Sequence, residues 1–134
     1  MRRGAFWLGG IALLVVVAVA ALYAATSRLE SEQITQDVFL IKGVGGNVAV
    51  LRTGEGALVV DTMTFNWQGE GIRALARSLT GEHFGTIVNT HYHLDHTREN
   101  PAFEAGTRVI ATAKTLLHLT RTDADYFAGD AAAL

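Results

Sequence analysis

The stretch His91-Tyr92-His93-Leu94-Asp95-His96 directly follows the short apolar run Thr86-Ile87-Val88-Asn89-Thr90. It contains three of the five histidines of the chain together with one carboxylate. Histidine and aspartate are both poor residues for strands and for apolar cores, so packing does not account for this density. The cluster therefore predicts a metal site at the end of a short strand.

The spacing within the cluster suits two metal ions. If the apolar run forms a strand, residues two apart leave its end on the same side, so His91 and His93 can present imidazoles to one ion. Asp95 and His96 come after the chain has turned, and they can face a second ion beside the first. Imidazole and carboxylate ligands without a thiolate suit zinc, with manganese or iron as alternatives. Two adjacent ions can share and acidify a water, which points to metal-assisted hydrolysis.

The pattern Thr-His-x-His-x-Asp-His after a hydrophobic strand resembles the metal-binding signature of the metallo-β-lactamase superfamily. We call His91 to His96 the metal loop. A second match lies upstream, where Ala57-Leu58-Val59-Val60-Asp61-Thr62 resembles the family's strand that ends in an aspartate near this loop. Between Asp37 and Ala111 nearly every segment fits. The resemblance implies an α+β fold, an αββα sandwich with the metals at one edge.

The resemblance also implies a role for each residue of the site. His91 and His93 would hold one zinc, and Asp95 and His96 would hold the other. A bridging hydroxide would attack an ester, thioester, lactone or lactam carbonyl of a small-molecule substrate. Asp95 would also move the proton to the leaving group, which makes it the candidate catalytic residue. Asp61 would support the metal loop from behind, although a strand-end aspartate is also a common turn residue.

The second half of such a sandwich has no counterpart in the chain. A further histidine for the first metal, a bridging carboxylate and a final histidine for the second metal are missing from the sequence. We therefore expect an incomplete domain over residues 37–134, corresponding to the first half of the fold, and a fragment or truncated gene model explains this best. Many relatives resemble Gly-Gly-Asn where this chain has Arg98-Glu99-Asn100, which indicates a different loop shape beside the same ligands.

Residues 1–25 form one strongly apolar segment. Phe6 to Ala25 carry no charge, and they suffice for a helix of about 30 Å, the thickness of the hydrocarbon core. A buried core helix would have a polar face, and this segment has none. We interpret it as a membrane anchor, with a cleaved signal peptide as the alternative. Residues 26–36 are polar and are expected to form a tether.

Charge predicts where the domain lies. Arg2 and Arg3 precede the apolar segment, whereas Arg28 is followed closely by Glu30 and Glu32. The positive-inside bias then keeps the N-terminus cytoplasmic and places the domain in the periplasm or outside the cell, or secretes it if a signal is cleaved. The 134 residues have a formal net charge of −2 and contain no basic stripe with interleaved aromatics, so nucleic acid is not an expected partner. The absence of cysteine rules out disulfides and thiolate ligands.

Local patterns divide the rest of the chain into short elements. A meander of three antiparallel strands is predicted at 38–42, 47–52 and 57–61, followed by an amphipathic helix over Gly69 to Thr80 that ends at Gly81. A later strand is expected at 107–111 and a helix at 113–122. The isolated histidines His83 and His118 are expected to be ordinary surface or core residues.

Two other functions remain open beside the zinc hydrolase. One is a redox enzyme on the same fold, but its di-iron sites usually resemble His-x-Glu-x-Asp-His, and His93 stands where that glutamate would be. The other is a non-catalytic, membrane-anchored metal-binding chain, which the missing ligands favour.

Overall fold

A six-stranded mixed sheet is the frame of the protein in this computed structural model, which describes residues 3–81, 83–103 and 105–122. The strands lie side by side in chain order. The first four alternate in direction and pair antiparallel with one another, whereas the last two run parallel to the fourth. They are β1 Leu29–Gln33, β2 Val38–Gly43, β3 Gly46–Leu51, β4 Ala57–Val60, β5 Phe84–Asn89 and β6 Arg108–Ala111.

Four α-helices accompany the sheet within the described residues. They are α1 Arg3–Ser27, α2 Gly69–Thr80, α3 Leu94–Thr97 and α4 Ala113–Leu117. A short 3₁₀ turn covers Asn100–Ala102, and a π turn over His118–Thr122 continues α4. The predicted tail beyond residue 122 lies outside the described residues.

The core lies between α2 and one face of the sheet. Alternate residues of β2 and β3 point into it, because side chains two apart along a strand share a face. Ile72 and Ala76 of α2 are fully buried against this face. Burying an aliphatic side chain of this kind stabilises the fold by about 1.5–3 kcal/mol. The sheet contributes Phe39, Ile41, Val48, Val50, Val59 and Ile87.

The opposite face of the sheet is apolar but only half-buried. Val60 and Val88 pair across β4 and β5 on this face, and both are of intermediate exposure. Ile110 of β6 continues the row and is 43% exposed. The described residues thus form one helix layer on one sheet, which is half of the predicted αββα sandwich, and the α+β fold class is confirmed.

The helix α1 projects away from the sheet. Its segment Gly9–Ser27 has a mean hydropathy of 2.3 with 6% of the residues buried, so it is long and apolar enough to cross a membrane. The predicted apolar N-terminal helix is therefore confirmed. Whether it acts as an anchor or as a signal remains a prediction.

Several predictions of local structure need correction. Residues 26–36 are not simply a tether, because Leu29–Gln33 forms β1 and pairs with β2. Four of its five side chains are exposed, so no apolar pattern marks this edge strand in the sequence. The predicted helix over 113–122 is α for its first half only.

All the parallel strands finish at one end of the sheet, which we call the site end. β4, β5 and β6 run in the same direction, so their carboxyl ends meet there. The antiparallel register places the β2–β3 turn at the same end, since Gly43 pairs with Gly46. The start of β1 lies there too, because Leu29 pairs with Gly43. The site end therefore brings together the metal loop, the β2–β3 turn and the entry of the chain from α1.

Candidate metal centre

The predicted site residues lie together just beyond the site end. His91 and His93 belong to the loop that leaves β5, and Asp95 and His96 belong to the single turn of α3. Asp61 follows β4, the parallel neighbour of β5. Because adjacent parallel strands end at the same edge, residues that are 30 or more positions apart in the chain meet there.

The first pair of side chains is His91 and His93. The His91 Nε2 atom lies 3.1 Å from the His93 Nδ1 atom, and the two rings meet edge to face. The other nitrogen of His91, Nδ1, lies 3.1 Å from the Thr90 hydroxyl. One nitrogen of each imidazole thus faces a shared point on the exposed side of the loop.

Asp61 links Thr90, at the start of the loop after β5, to His96 on α3. The residue is 6% exposed, and its carboxylate accepts hydrogen bonds from the Thr90 backbone N–H at 2.8 Å and from the Thr90 hydroxyl at 2.8 Å. It also faces the His96 Nδ1 atom at 2.7 Å. The backbone of Asp61 is left-handed, with φ of 62°. Aspartate and asparagine are among the few residues other than glycine that tolerate this conformation.

The hydrogen bonds of Asp61 assign the proton positions on the rings. His96 donates Nδ1–H to the Asp61 carboxylate, which leaves a lone pair on Nε2. That Nε2 atom lies 3.0 Å from an oxygen of the Asp95 carboxylate. A lone pair and a carboxylate oxygen repel at this distance unless a proton or a cation lies between them. The proton on His91 is assigned in the same way. The Thr90 hydroxyl donates its hydrogen bond to Asp61, so it accepts from His91 Nδ1–H, and the lone pair of His91 lies on Nε2.

These two pairs fit the donor set of zinc. Tetrahedral zinc with bonds of about 2.0–2.1 Å holds neighbouring ligand atoms about 3.3 Å apart. The nitrogen–nitrogen separation of 3.1 Å in the first pair and the nitrogen–oxygen separation of 3.0 Å in the second are close to that value. Within residues 3–81, 83–103 and 105–122, however, no three histidine, cysteine, aspartate or glutamate side chains are arranged around one point. Each pair therefore offers two ligands for one ion.

The electrostatics favour the ligating form of His91. Burial lowers the pKa of its imidazole below the ordinary value, and the neighbouring rings of His96 and His93 lower it further. The carboxylates of Asp61 and Asp95 act in the opposite direction and do not overcome this effect. A neutral imidazole has the free lone pair that a metal requires.

A buried polar network behind the metal loop was not predicted from the sequence. The His96 carbonyl accepts hydrogen bonds from the Asn89 amide at 2.8 Å and from the Thr62 N–H at 3.1 Å. Asn100 donates to the Asn89 oxygen at 2.8 Å and accepts from the Thr62 hydroxyl at 3.1 Å. Asn89, Asn100 and Thr62 are each at most 3% exposed. The network fixes the backbone of α3 and hence the direction of the His96 ring. Its only signal in the sequence is the polar Asn89 at the end of an apolar strand.

Glu99 connects the same loop to α2. Its carboxylate accepts a hydrogen bond of 2.9 Å from the Gly69 N–H in the first turn of that helix. A negative charge there is favourable, because the N-terminal N–H groups of a helix are unpaired and carry partial positive charge. A Cβ atom on Gly69 would lie 2.2 Å from the Glu99 carboxylate and 2.3 Å from the Ala102 Cβ. The sequence Arg98-Glu99-Asn100, which differs from the Gly-Gly-Asn that many relatives resemble, thus attaches this loop to α2 through Glu99.

His118, which was predicted to be an ordinary surface or core residue, packs close to the site. Its ring stacks on Tyr92 with centroids 4.1 Å apart, and Tyr92 in turn meets His93 at 4.7 Å. The other isolated histidine, His83, is exposed at the opposite end of the sheet. Sequence spacing gave no reason to associate His118 with the metal loop.

The family model of the metallo-beta-lactamase superfamily matches residues 41–128. The chain belongs to the metallo-beta-lactamase superfamily. The match covers both sequence motifs, the strand that ends at Asp61 and the loop from His91 to His96. The fold of this superfamily supports a metallo-hydrolase type of function in general. A search of curated protein sequences finds no match.

Solved structures share the fold of this chain. VMB-1 at pH 5.5 superposes with a TM-score of 0.63 at 18% identity, covering 73% of this chain and 49% of that chain. FIM-1 from Pseudomonas aeruginosa, a metallo-beta-lactamase in its mono-zinc form, gives 0.63 at 19% identity, covering 78% and 48%. The metallo-beta-lactamase of Hirschia baltica gives 0.60 at 21% identity, covering 73% and 48%. The chain thus spans about half the length of the solved structures that it matches.

Proposed function

We propose that the chain carries part of the catalytic centre of a zinc-dependent hydrolase that acts on an ester, thioester, lactone or lactam carbonyl of a small molecule. His91 and His93 hold one zinc ion, and Asp95 and His96 hold a second. Asp61 orients His96 from behind. The observation that carries the proposal is the pair of ligand-like separations, 3.1 Å and 3.0 Å, at one end of a sheet of this superfamily.

The residues of the chain would divide the work as follows. Zinc held by these two pairs would supply a Lewis acid and a water acidified toward a pKa of about 7. Asp61 fixes the Nδ1–H tautomer of His96 and so presents its Nε2 lone pair outward. Asp95 has a half-exposed carboxylate, 49% exposed, which can accept a proton and pass it to the leaving group. The network of Asn89, Asn100 and Thr62 keeps both groups in place.

The domain organisation and location are part of the proposal. Residues 1–25 anchor the chain in a membrane, and residues 26–36 connect the anchor to the domain while adding the edge strand β1 to its sheet. The exposed apolar surface of α1 supports the anchor, because 6% of its candidate membrane-spanning window is buried. Arg2 and Arg3 before the apolar helix support a cytoplasmic N-terminus and a domain outside the cytoplasm.

A second candidate is a membrane-anchored protein that binds metal without catalysis. The specific observation in its favour is that no three potential ligands converge in the part of the chain that the structure describes. Catalytic zinc sites normally have three protein ligands and an open position. A pair of ligands would bind zinc weakly and would not fix the position of a water.

Zinc binding and hydrolysis, measured separately, distinguish the two candidates. Zinc affinity is measured by competition with a chromogenic chelator, for the full chain and for His93→Ala. His83→Ala is the matched control, because it removes an exposed histidine from the opposite end of the sheet. We expect weak binding that His93→Ala reduces and His83→Ala leaves unchanged. Equal affinity of all three proteins would show that the site is misassigned.

Hydrolysis is then assayed with a chromogenic ester and a chromogenic lactam, with and without chelator. Turnover that the chelator and Asp95→Ala both abolish supports the hydrolase. Zinc binding without turnover of either compound supports the non-catalytic candidate.

A further inference from the structure

The C-terminal end of α1 is fastened to the domain by one buried amide. The Gln68 side chain is 1% exposed, and its Nε2 atom donates to the Thr26 carbonyl at 2.7 Å and to the Val44 carbonyl at 3.0 Å. Its Oε1 atom accepts from the Phe65 N–H at 3.2 Å. Thr26 is 6% exposed, so the last turn of the helix is the part that packs on the domain. Gln68 therefore links the helix end to the β2–β3 turn.

The β2–β3 turn reaches from the helix end to the metal loop. The Gly45 carbonyl accepts a hydrogen bond of 2.9 Å from the Thr64 hydroxyl, in the loop that follows Asp61. A Cβ atom on Gly46 would lie 2.9 Å from the Asp95 carbonyl oxygen, so the turn and the metal loop are in direct backbone contact. The β2–β3 turn thus contacts the metal loop on one side and, through Gln68, the end of α1 on the other.

An exposed apolar surface surrounds this junction. We call it the junction patch and define it by Tyr23, Val44, Phe65 and Trp67. The Trp67 ring stacks on Phe65 with centroids 4.9 Å apart and meets Tyr23 at 5.8 Å. Nevertheless Tyr23 is 53%, Val44 51% and Trp67 40% exposed. Aromatic rings with one polar atom favour the boundary between the hydrocarbon core and the headgroups.

We propose that the lipid–water interface covers the junction patch, so that the site end of the sheet, with the metal loop, faces the membrane surface. Three features place the interface at this height. The apolar surface of α1 ends at Ser27, and Tyr23 and Trp67 lie beside that end. Arg28 follows with a side chain that is 77% exposed and lies 3.1 Å from the Glu30 carboxylate, an exposed pair that can open toward a lipid phosphate. A cation at this position can pair with lipid phosphates. The inference rests on the proposed membrane insertion of α1.

The arrangement predicts different depths for the two hairpin turns of β3. The β2–β3 turn belongs to the junction patch, and the β3–β4 turn lies at the other end of the same strand. The six residues of β3 at about 3.3 Å each separate the two turns by about 20 Å. Two exposed positions mark these turns, Val44 at the site end and Glu55 at the far end.

Site-directed spin labelling tests the proposal on the full chain, which contains no native cysteine. Single cysteines replace Leu14, Val44 or Glu55, and each carries a nitroxide. The proteins are reconstituted into phosphatidylethanolamine and phosphatidylglycerol vesicles without added metal. Collision with oxygen reports the lipid phase, and collision with a water-soluble nickel chelate reports the aqueous phase. Leu14 lies within α1 and serves as the insertion control.

We expect the Leu14 label to collide mainly with oxygen and the Glu55 label mainly with the nickel chelate. The Val44 label should show intermediate values, typical of the headgroup region. If Leu14 lies in lipid while Val44 is as accessible to the chelate as Glu55, the placement of the site end is wrong and the anchor stands. If the Leu14 label also lies in water, the proposed anchor and this inference are both wrong. Neither outcome depends on zinc or on hydrolysis.

Discussion

Replacing Asp61 by asparagine separates its role in the metal centre from its role as a turn residue. Asparagine also tolerates the left-handed backbone at this position, with φ of 62°, so the turn itself is preserved. Oδ1 can still accept from the Thr90 N–H. The amide nitrogen then faces the Thr90 hydroxyl and the His96 Nδ1 atom, which lie 2.8 Å and 2.7 Å from the carboxylate oxygen in the native chain.

The substitution should reverse the tautomer of His96. A donating amide next to Nδ1 requires that nitrogen to accept, which moves the proton to Nε2. A protonated Nε2 has no lone pair for a metal, so the Asp95–His96 pair should lose most of its affinity. Loss of a partner that orients a metal-binding histidine typically costs about 10–100-fold in affinity. The lost charge-assisted hydrogen bond should also lower the free energy of unfolding by about 1.5–3 kcal/mol.

Zinc affinity by chelator competition and stability by urea unfolding measure the two effects separately. Asp37→Asn is the matched control, because it removes the same charge from an exposed carboxylate that lies 3.5 Å from Arg52. An exposed ion pair of that kind contributes at most about 1 kcal/mol. Lower stability of Asp61→Asn with zinc affinity equal to that of the native chain would show that Asp61 is only a structural turn residue.

Two further predictions follow from other parts of the structure. Gly69→Ala should destabilise the fold by about 1–3 kcal/mol in urea unfolding, because its Cβ would collide with the Glu99 carboxylate. In the control Gly71→Ala, exposed on the same helix, the new Cβ would lie 3.2 Å from the terminal Cδ1 atom of Leu29, which can shift, so the free energy of unfolding should change by less than about 1 kcal/mol; equal effects of both changes would contradict the attachment. Asn89→Ala should lower stability by about 1–3 kcal/mol, since it leaves buried partners unpaired; unchanged urea midpoint and slope would refute the network.

The metal loop was the most predictable part of the protein because its signal is local. The residues from His91 to His96 are adjacent in sequence, and a short strand and one helical turn suffice to bring them together. The helix Gly69–Thr80 was equally predictable from the sequence, since its apolar periodicity and the glycine that ends it, Gly81, are both local features. In both cases the deciding residues lie within one element and its cap.

Features that depend on distant partners were not predictable in this way. Edge strand β1 has an exposed, polar sequence, and only its pairing with β2 makes it a strand. The Glu99 carboxylate meets Gly69 across 30 positions, and Asn89 meets Asn100 across a loop whose shape the sequence did not indicate. The link from Gln68 to Thr26 spans 42 positions. Side-chain hydrogen bonds of this kind have no periodic signature, because they depend on the tertiary fold.

X-ray absorption at the zinc edge decides whether the four side chains of the metal loop hold the metal. The zinc-loaded full chain should show nitrogen and oxygen neighbours at about 2.0–2.1 Å with the multiple-scattering features of imidazole and no sulfur. His93→Ala and His96→Ala should each reduce the imidazole contribution, whereas the control His83→Ala should leave the spectrum unchanged. Spectra of His93→Ala and His96→Ala that are identical to that of the native chain would contradict the assignment.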